Sequence, residues 1–291
     1  MQRTVKKRHR LKKNEITEIE SLVRECLSAD GLERYLYLHN DLNYYKDMDC
    51  FFLMYQDDRL VSVLAVFAPL AEEAEISAYT LPSQRRKGFF KALLGYAEKE
   101  LAGFGIEHIL FVAEPASSSA AAVMQACKAG YAKSEYLMTL AASDYRPVPE
   151  DGTGLPELRN LTEESLEKAA ALCSELFGSD IKEDLSMLKG ALESGQMDTY
   201  CTFLAEDMLG ICNVSIGSDS ACIFGFGIKP EYQGKGYGRR QLRLLLAKLF
   251  GRGIGTVTLE VGSRNERAFS LYKGEGFRIK TQYDYYECKI M

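Results

Sequence analysis

Histidine is scarce in this chain, and paired cysteines are missing from it. The three histidines are His9, His39 and His108, so the second half of the sequence has no imidazole to serve as a general base. The 8 cysteines include no CxxC pair, and they lie in apolar contexts such as Leu172-Cys173. This usage favours free core thiols in a reducing cytoplasm over disulfides or a zinc site, and no metal cofactor is expected.

A basic excess and long apolar runs are missing as well. The formal charge of −5 and the sequence pI near 5.5 argue against general nucleic-acid binding. Basic residues do crowd the start of the chain, namely Arg3, Lys6, Lys7, Arg8, Arg10, Lys12 and Lys13. A solvated terminal strand or tail is favoured for this segment over a nucleic-acid or membrane role. Because no apolar run suits a signal peptide or a membrane span, a cytoplasmic protein is expected.

The chain is long enough for two domains. Its 291 residues exceed the usual single-domain size, and a hydrophobic content of 46% suffices for two cores. Residues 143–155 combine Pro147, Pro149, Gly152 and Gly154 with polar residues, which is typical of a linker. The expected domains are therefore residues 1–142 and 156–291.

Hydrophobic periodicity and turn residues predict a similar order of elements in both halves. The first half is predicted to contain a helix capped by Asn14 and closed by Gly31, strands at Cys50–Tyr55, Leu60–Phe67, Glu75–Leu81, Ile106–Val112 and Glu135–Leu140, and helices around Leu94–Leu101 and Ala116–Lys128. The second half is predicted to contain a helix capped by Thr162, strands at Thr199–Leu204, Met208–Ile216, Ala221–Ile228 and Thr256–Val261, a helix capped by Asn265, and a terminal strand or hairpin at Phe277–Ile290. One ungapped shift aligns Pro82 with Pro230, Gly88 with Gly236, Leu94 with Leu242 and Gly105 with Gly253. These matches indicate an internal repeat.

A glycine-dense loop follows the predicted strand Ala221–Ile228. Gly234, Gly236 and Gly238 have no Cβ, so a ligand can approach their N–H groups closely. The loop leads into leucines at the spacing of an amphipathic helix, namely Leu242, Leu245, Leu246 and Leu249. The first turn of that helix has N–H groups without intrahelical partners, which suits phosphate oxygens. The two arginines after Gly238 add positive charge.

Two common phosphate-binding motifs do not fit this loop. A P-loop needs Lys-Ser or Lys-Thr after its last glycine, where this chain has Arg239. A dinucleotide fingerprint needs G-x-G-x-x-G, whereas these glycines are spaced by two. The spacing Gln233-x-x-Gly236-x-Gly238, preceded by Pro230-Glu-Tyr, resembles the pyrophosphate loop of the GNAT superfamily of N-acetyltransferases. A loop that merely turns the chain is the alternative.

This resemblance covers nearly all of the chain. It implies two tandem domains of mixed α/β (α+β) class, each with a mostly antiparallel central sheet flanked by helices. It also implies acetyl-CoA as cosubstrate, with a pantetheine arm held by backbone groups of Phe226, Gly227 and Ile228. The residues that the resemblance places at the pyrophosphate are Gln233, Gly234, Lys235, Gly236, Tyr237, Gly238 and Arg239.

A second motif begins in the predicted strand Thr256–Val261. Asn265, Ala268, Leu271, Tyr272, Gly276 and Phe277 resemble the later GNAT motif, in which an Asn contacts coenzyme A and a Tyr hydroxyl reaches the thioester sulfur. The interval from Glu260 to Tyr272 is similar to that in the bacterial enzymes that acetylate ribosomal-protein N-termini. There the Glu is the base and the Tyr the acid. The resemblance therefore implies that Glu260 is the base, that Tyr272 is the acid and that Asn265 binds the coenzyme.

Each of these residues also has a purely structural interpretation. Tyr272 shares a face with Ala268 and Leu271 and can be a core aromatic. Glu260 points away from the apolar residues of its strand and can be a solvated or salt-bridged carboxylate, with a relayed water as the base. Asn265 is a good N-cap with or without a coenzyme.

The first half departs from the motif where the chemistry would be. Arg85-x-x-Gly88 keeps the start of the loop. However, Phe90 stands in place of Gly238, Val112 in place of Glu260 and Ala126 in place of Tyr272. The missing acid and base predict that the first domain is a degenerate, non-catalytic one, and whether it holds a coenzyme stays open. Glu114, Tyr44, Tyr45 and Tyr79 are candidates for shaping the acceptor site.

The resulting prediction is an N-acetyltransferase that moves an acetyl group directly from acetyl-CoA to a primary amine, either a small molecule or a peptide N-terminus. The main alternative is a protein with two degenerate halves that senses acyl-CoA or binds a partner. Transfer of a longer acyl chain is a further alternative, because it uses the same loop. No nucleic-acid or membrane partner is expected, and the protein is either a monomer or a homodimer.

Overall fold

The computed structural model describes residues 2–148, 155–194 and 197–290. The elements of the first half are β1 (Arg3–Arg8), α1 (Lys13–Asp30), β2 (Phe51–Gln56), β3 (Arg59–Phe67), β4 (Glu73–Thr80), α2 (Phe89–Gly103), β5 (His108–Ala113), α3 (Ser118–Cys127) and β6 (Gly130–Ala141). Those of the second half are β7 (Glu157–Asn160), α4 (Leu166–Phe177), α5 (Ile181–Ser194), β8 (Met197–Leu204), β9 (Asp207–Ile216), β10 (Ser220–Ile228), α6 (Tyr237–Gly251), β11 (Thr256–Gly262), α7 (Glu266–Gly274) and β12 (Arg278–Lys289).

The chain divides into two compact units. The first unit runs to Glu135 and also takes up the residues from Thr281 onward, whereas the second comprises Tyr136–Lys280. The reason is that β12 pairs antiparallel with β5, from Asp284 opposite Ala113 onward. The structure therefore divides the chain near residue 135, whereas the sequence analysis puts the boundary at 142 and the terminal strand in the second domain. The predicted linker residues Pro149, Gly152 and Gly154 lie outside the described residues.

Both units contain a mostly antiparallel sheet with one parallel pair. In the first unit the strand order is β1-β2-β3-β4-β5-β12, and in the second it is β6-β11-β10-β9-β8-β7. The β4–β5 and β10–β11 pairs are parallel, whereas the β1–β2, β2–β3, β3–β4, β7–β8, β8–β9 and β9–β10 pairs are antiparallel. The predicted fold class of two mixed α/β units with flanking helices is confirmed.

Helices pack on both faces of the second unit's sheet, and each face has its own hydrophobic core. The predicted leucines of α6, namely Leu242, Leu245, Leu246 and Leu249, are buried and pack with Val214, Ile223 and Leu259 of the sheet. Burying each such side chain stabilises the fold by about 1.5–3 kcal/mol. On the opposite face, α4 and α5 form a separate core with Cys201 of β8 and Ile211 of β9. Alternate residues of β9 therefore face different helix pairs.

The basic start of the chain forms an edge strand rather than a tail. Lys6 Nζ lies 3.9 Å from the centre of the Tyr55 ring, and Arg8 Nη2 lies 2.9 Å from Glu15 Oε1. The predicted cap Asn14 is wrong, because α1 begins at Lys13 and the carboxylate of Glu15 accepts the N–H of Lys12 at 3.0 Å. The charges of Lys6 and Arg8 therefore interact with partners in the first unit. The sequence analysis includes neither strand β7, which has only 4 residues, nor helix α5, although Ile181, Leu185, Leu188 and Leu192 have helical spacing.

A buried carboxylate fastens the segment after α1 to the first unit. Glu114 is 7% exposed, and its Oε1 accepts the N–H groups of Glu33 and Arg34, both at 2.8 Å. Its Oε2 accepts the hydroxyl of Thr281 at 2.7 Å. The hydroxyl of Tyr79 donates to the carbonyl of Arg34. Glu114 therefore accepts hydrogen bonds from three donors of the first unit.

We expect Glu114→Ala to destabilise the first unit by about 2–4 kcal/mol, because buried donors lose a charged acceptor. The amides of Glu33 and Arg34 should then exchange with deuterium much faster than in the wild type. Hydrogen exchange of this segment and thermal unfolding test the prediction. Glu114→Gln keeps one acceptor oxygen and serves as the control, with a smaller effect. Unchanged protection of the two amides in the Ala variant would contradict this role.

Candidate active site

A tight loop joins β10 to α6 in the second unit. Residues Pro230–Tyr232 form one 3₁₀ turn, and Gly234 and Gly236 follow with left-handed φ values of 77° and 85°. No side chain caps α6, so the N–H groups of its first turn receive no acceptor from a capping residue. A Cβ added at Gly236 would meet nothing within 4 Å. The start of α6 is therefore open and rich in donors, as a phosphate group requires.

Gln233 holds the loop in shape with its side chain. Its Nε2 donates to the carbonyl of Ile228 at 2.8 Å, and its Oε1 accepts Arg267 Nη1 at 2.6 Å. Both functional atoms of the amide are thereby used within the protein. Arg267, in the first turn of α7, lies beside the loop, with Nη2 3.9 Å from the position of a Cβ on Gly234. Arg267 cannot be identified from the sequence alone, because nothing local links it to Gln233.

Two charged side chains of the loop, those of Arg239 and Lys235, contact other side chains of the protein. Arg239 Nε lies 3.5 Å from Glu275 Oε1, and Arg243 Nε donates to Oε2 of the same carboxylate at 2.8 Å. Lys235 Nζ lies 5.5 Å from the centre of the Tyr232 ring, which neighbours Tyr237. The guanidinium of Arg239 is therefore paired with an acid. Its backbone N–H, and those of Lys235, Tyr237 and Gly238, are the groups that the loop offers to a ligand.

Strands β10 and β11 begin as a parallel pair and then separate. Their ladder runs from Ser220 opposite Thr256 to Ile223 opposite Leu259. Beyond it, β10 has a bulge between Phe224 and Gly227. The backbone of Phe226, Gly227 and Ile228 thus lies past the end of the ladder with β11. This opening between two parallel strands is the place where an extended ligand can pair with the backbone of β10.

Helix α4 ends directly against this opening. A Cβ on Gly227 would lie 2.8 Å from Leu176 Cδ1 and 3.2 Å from Phe177 Cζ, so only glycine fits there without a shift. Phe177 nevertheless remains 48% exposed. Phe177 cannot be identified from the sequence alone, because the packing of α4 on β10 is a long-range contact.

Tyr272 lies in α7 with its ring inside the core of the second unit. The ring is 6.0 Å from those of Phe226 and Phe277, and the residue is 6% exposed. Burial raises the pKa of the Tyr272 hydroxyl to about 12. Within the described chain, no protein group hydrogen-bonds to this hydroxyl. Tyr272 is therefore both a core aromatic and a phenol that keeps its proton at neutral pH, next to Phe226 of the strand opening.

Glu260 lies on the other face of β11. The side chains of Val257, Leu259 and Val261 are buried in the core that contains Tyr272, whereas that of Glu260 is exposed. Its charge raises the pKa of Cys222 on the neighbouring strand, although burial of that thiol is the larger cause. The expected base and the expected acid are thus separated by strand β11 and approach the opening from opposite faces.

Asn265 caps α7, as expected. Its side-chain oxygen accepts the N–H of Ala268 at 3.1 Å. This contact uses the side-chain oxygen for the helix and leaves the amide nitrogen as the atom that can serve a ligand. The structural interpretation of Asn265 is therefore correct at the level of the cap.

The corresponding loop of the first unit has the same backbone shape with different partners. Gly88 begins α2 with a φ of 82°, close to that of Gly236. Arg85 takes the place of Gln233, because it donates to the carbonyl of Thr80 at 3.1 Å and pairs bidentately with Asp30 at 2.8 and 2.6 Å. Phe90 neighbours Phe111 at 6.5 Å between ring centres. The repeat predicted from the sequence is thus present in the geometry of the two loops.

The described residues carry no group of three or more His, Cys, Asp or Glu side chains arranged to hold a metal ion. Among the helices of those residues, none is long and apolar enough to cross a membrane.

Comparison with known proteins identifies relatives that are acetyltransferases. Over 91 residues the chain is 39% identical to the ribosomal protein bS18-alanine N-acetyltransferase of Escherichia coli K12, which corresponds to 30% of this chain and 62% of that protein. It is 27% identical over 213 residues to the mycothiol acetyltransferase of Clavibacter michiganensis, covering 68% of this chain and 66% of that protein. The match to the first relative thus spans less than two thirds of that protein's length.

The fold also matches a solved structure over its whole length. A tandem GNAT protein from the clavulanic acid biosynthesis pathway superposes with a TM-score of 0.73 and 15% sequence identity, covering 100% of this chain and 99% of that one. At this identity the likeness concerns the fold alone. The family model of the Acetyltransferase (GNAT) family matches twice, at residues 16–129 and 163–277. The chain therefore belongs to the Acetyltransferase (GNAT) family, with two GNAT domains in tandem.

Proposed function

We propose that the second unit transfers an acetyl group from acetyl-CoA to a primary amine, either a small molecule or a peptide N-terminus, by direct attack. The observation that carries the proposal is the position of Tyr272, whose ring lies 6.0 Å from that of Phe226 at the strand opening. A protonated phenol at this place is a candidate acid for the departing thiolate. The proposal also depends on the loop before α6, which would bind the diphosphate of the coenzyme.

The residues around the opening fit coenzyme A. N–H groups of Gly234, Lys235, Gly236, Tyr237, Gly238 and Arg239 would receive the pyrophosphate, with Gln233 and Arg267 holding the loop. Backbone groups of Phe226, Gly227 and Ile228 would pair with the pantetheine arm. The amide nitrogen of Asn265 would contact the same arm. Because Arg239 pairs with Glu275, its contribution is the backbone N–H rather than the guanidinium charge.

The chemistry divides between the two faces of β11. A neutral amine attacks the thioester carbon, so a C–N bond forms and the C–S bond breaks. The amine proton passes to the carboxylate of Glu260, directly or through one water, and the hydroxyl of Tyr272 gives its proton to the sulfur. Both groups must be in place at once, which favours a ternary complex over a covalent intermediate on the protein.

We further propose that the first unit has no chemical role of its own. Val112 and Ala126 replace the base and the acid there. The segment after α1, to which Glu114 is hydrogen-bonded, packs on the same unit. There the guanidinium of Arg34 lies 4.3 Å from the centre of the Tyr283 ring. The sensor alternative for the whole protein would require that the second unit is inert as well.

Thiol release from acetyl-CoA tests this function. The purified full-length chain should release coenzyme A in the presence of a panel of primary amines and short peptides with free N-termini. Mass spectrometry should find the acetyl group on the amine. If the protein bound acetyl-CoA tightly but released no thiol with every member of the panel, the sensor alternative would be favoured.

We expect Glu260→Gln to lower kcat/KM for the amine by about 10–100-fold at neutral pH, since the variant cannot accept the amine proton. The loss should shrink as pH rises toward the pKa of the amine, because solvent then supplies the neutral nucleophile. Steady-state kinetics from pH 7 to 10 measure this. A constant loss across the range would mean that Glu260 acts in binding instead. Glu231→Gln, in the exposed 3₁₀ turn before the loop, is the control for a changed surface charge.

A further inference from the structure

Four side chains form a row across one face of the second unit's sheet. Thr199 of β8 is opposite Asn213 of β9, and Asn213 is opposite Phe224 of β10. Phe224 directly follows Ile223, which pairs with Leu259, so the next residue of β11 in the row is Glu260. This face is opposite the one that packs under α6, where Cys212 and Val214 lie. Asn213 therefore lies two strands away from Glu260, the proposed base, and Phe224 lies between them.

Asn213 has a hydrogen-bonding capacity that the protein does not use. It is 2% exposed, and its Oδ1 accepts the hydroxyl of Thr199 at 2.7 Å. That bond leaves Nδ2 as the free end of the amide. In residues 2–148, 155–194 and 197–290, no group accepts a hydrogen bond from Nδ2. An amide nitrogen without an acceptor in the protein is a donor that a ligand can complete.

Gly225 leaves room for this nitrogen beside the backbone of β10. A Cβ at this position would lie 2.7 Å from Nδ2 of Asn213, which is closer than packing allows. Gly225 also has a left-handed φ of 54° within the bulge of β10. The glycine therefore serves both the backbone of the bulge and the close approach of Nδ2. The donor lies beside Gly225 in the bulge of β10, the strand between Asn213 and β11.

We propose that Nδ2 of Asn213 donates a hydrogen bond to a carbonyl oxygen of the amine acceptor. The acceptor class would then be an amine that carries a carbonyl close by, as a peptide N-terminus does, rather than a simple alkylamine. This inference rests on the proposed function.

Distances across the sheet support this acceptor class. Adjacent strands lie about 4.8 Å apart, so the backbones at Asn213 and Glu260 are separated by roughly 10 Å. An extended dipeptide spans about 7 Å. With its amine at Glu260, a peptide running over Phe224 thus brings its first or second carbonyl within reach of the Asn213 side chain. A neutral donor without a neighbouring cation selects a carbonyl over a carboxylate.

The test compares two amines on one protein. The probes are an alanine tripeptide amide with a free N-terminus and n-hexylamine, which has no carbonyl. Asn213→Asp keeps the shape and the acceptor for Thr199 but removes the donor. We expect kcat/KM for the tripeptide to fall by about 10–30-fold, while kcat/KM for hexylamine stays within about two-fold. Because the readout is a ratio between substrates of the same preparation, a partly inactive sample does not distort it.

Two further variants complete the design. Asn213→Ala removes the whole amide and carries the test if the buried carboxylate prevents folding. Thr202→Val changes a different buried polar side chain, in β8, whose hydroxyl has no partner among the described residues. It should leave the ratio of kcat/KM between the two amines unchanged. Equal losses for both amines in the Asn213 variants would overturn the inference and make Asn213 a support of the bulge. A wild-type protein that releases thiol with neither amine would contradict the proposed function itself.

Discussion

Tyr272→Phe is expected to lower kcat by roughly 10²–10⁴, while the affinity for acetyl-CoA changes by no more than about two-fold. The substitution keeps the ring, and with it the contacts to Phe226 and Phe277 at 6.0 Å between ring centres. It removes only a hydroxyl that no described protein group hydrogen-bonds. The fold therefore loses nothing that the structure records, and the loss falls on the proton for the departing thiolate.

The pH profile gives this prediction a second readout. Burial raises the pKa of Tyr272 to about 12, so the protonated form is lost only as pH rises through that value. The wild-type kcat should accordingly show no decline from this group between pH 7 and 10. Single-turnover kinetics with calorimetry of coenzyme binding separate the chemical step from affinity. A wild-type decline near pH 8, absent from the Phe variant, would mean that the phenol ionises far more easily than its burial allows.

Tyr200 provides a matched control for the loss of a phenol. It lies in the same core, is fully buried, and burial raises its pKa to about 12 as well. Its hydroxyl donates to Asp198 at 3.1 Å, away from the strand opening. Tyr200→Phe should lower stability modestly and leave kcat within about three-fold. If both variants lost turnover alike, Tyr272 would be a core aromatic and no more.

Local signals explain what the sequence could predict. The leucines of α6, the cap at Asn265 and the order of strand, glycine loop and helix all depend on residues close together in the chain. Each of them is present in the structure. The repeat was visible for the same reason, because Gly88 and Gly236 serve identical backbone shapes at a constant shift. Such features follow from periodicity and conformational preference alone.

Long-range partners explain what it could not predict. Alternation identifies β12 as a strand but not β5 as its neighbour. The sequence therefore predicts the terminal strand in the second domain, whereas the structure groups most of it with the first compact unit. The charge of Arg239 was expected at the phosphate, whereas a carboxylate 36 residues further along, Glu275, pairs with it. Asn213 had no motif around it. Its unused nitrogen becomes visible only when β9 and the bulge of β10 are side by side.

Gly236→Asp is expected to abolish acetyl-CoA binding and with it all turnover, whereas Gly88→Asp should leave both nearly intact. The two glycines have φ values of 85° and 82°, each begins a helix, and a Cβ at either position meets nothing within 4 Å. The backbone strain of the substitution, about 1–2 kcal/mol, is therefore the same in both variants. Any difference in coenzyme affinity comes from the negative charge at the start of α6.

A neutral variant separates the effect of that charge from the effect of the backbone strain. Gly236→Ala carries the same left-handed strain without the charge, so it should bind acetyl-CoA more weakly than the wild type but measurably. Calorimetry of acetyl-CoA binding, with thermal unfolding to match the stability of the variants, provides the comparison. If Gly236→Asp retained wild-type affinity, the loop would not hold the pyrophosphate. If Gly88→Asp alone abolished thiol release in a folded protein, the first unit would be the catalyst, and the replacement of its acid and base by Ala126 and Val112 would have been misjudged.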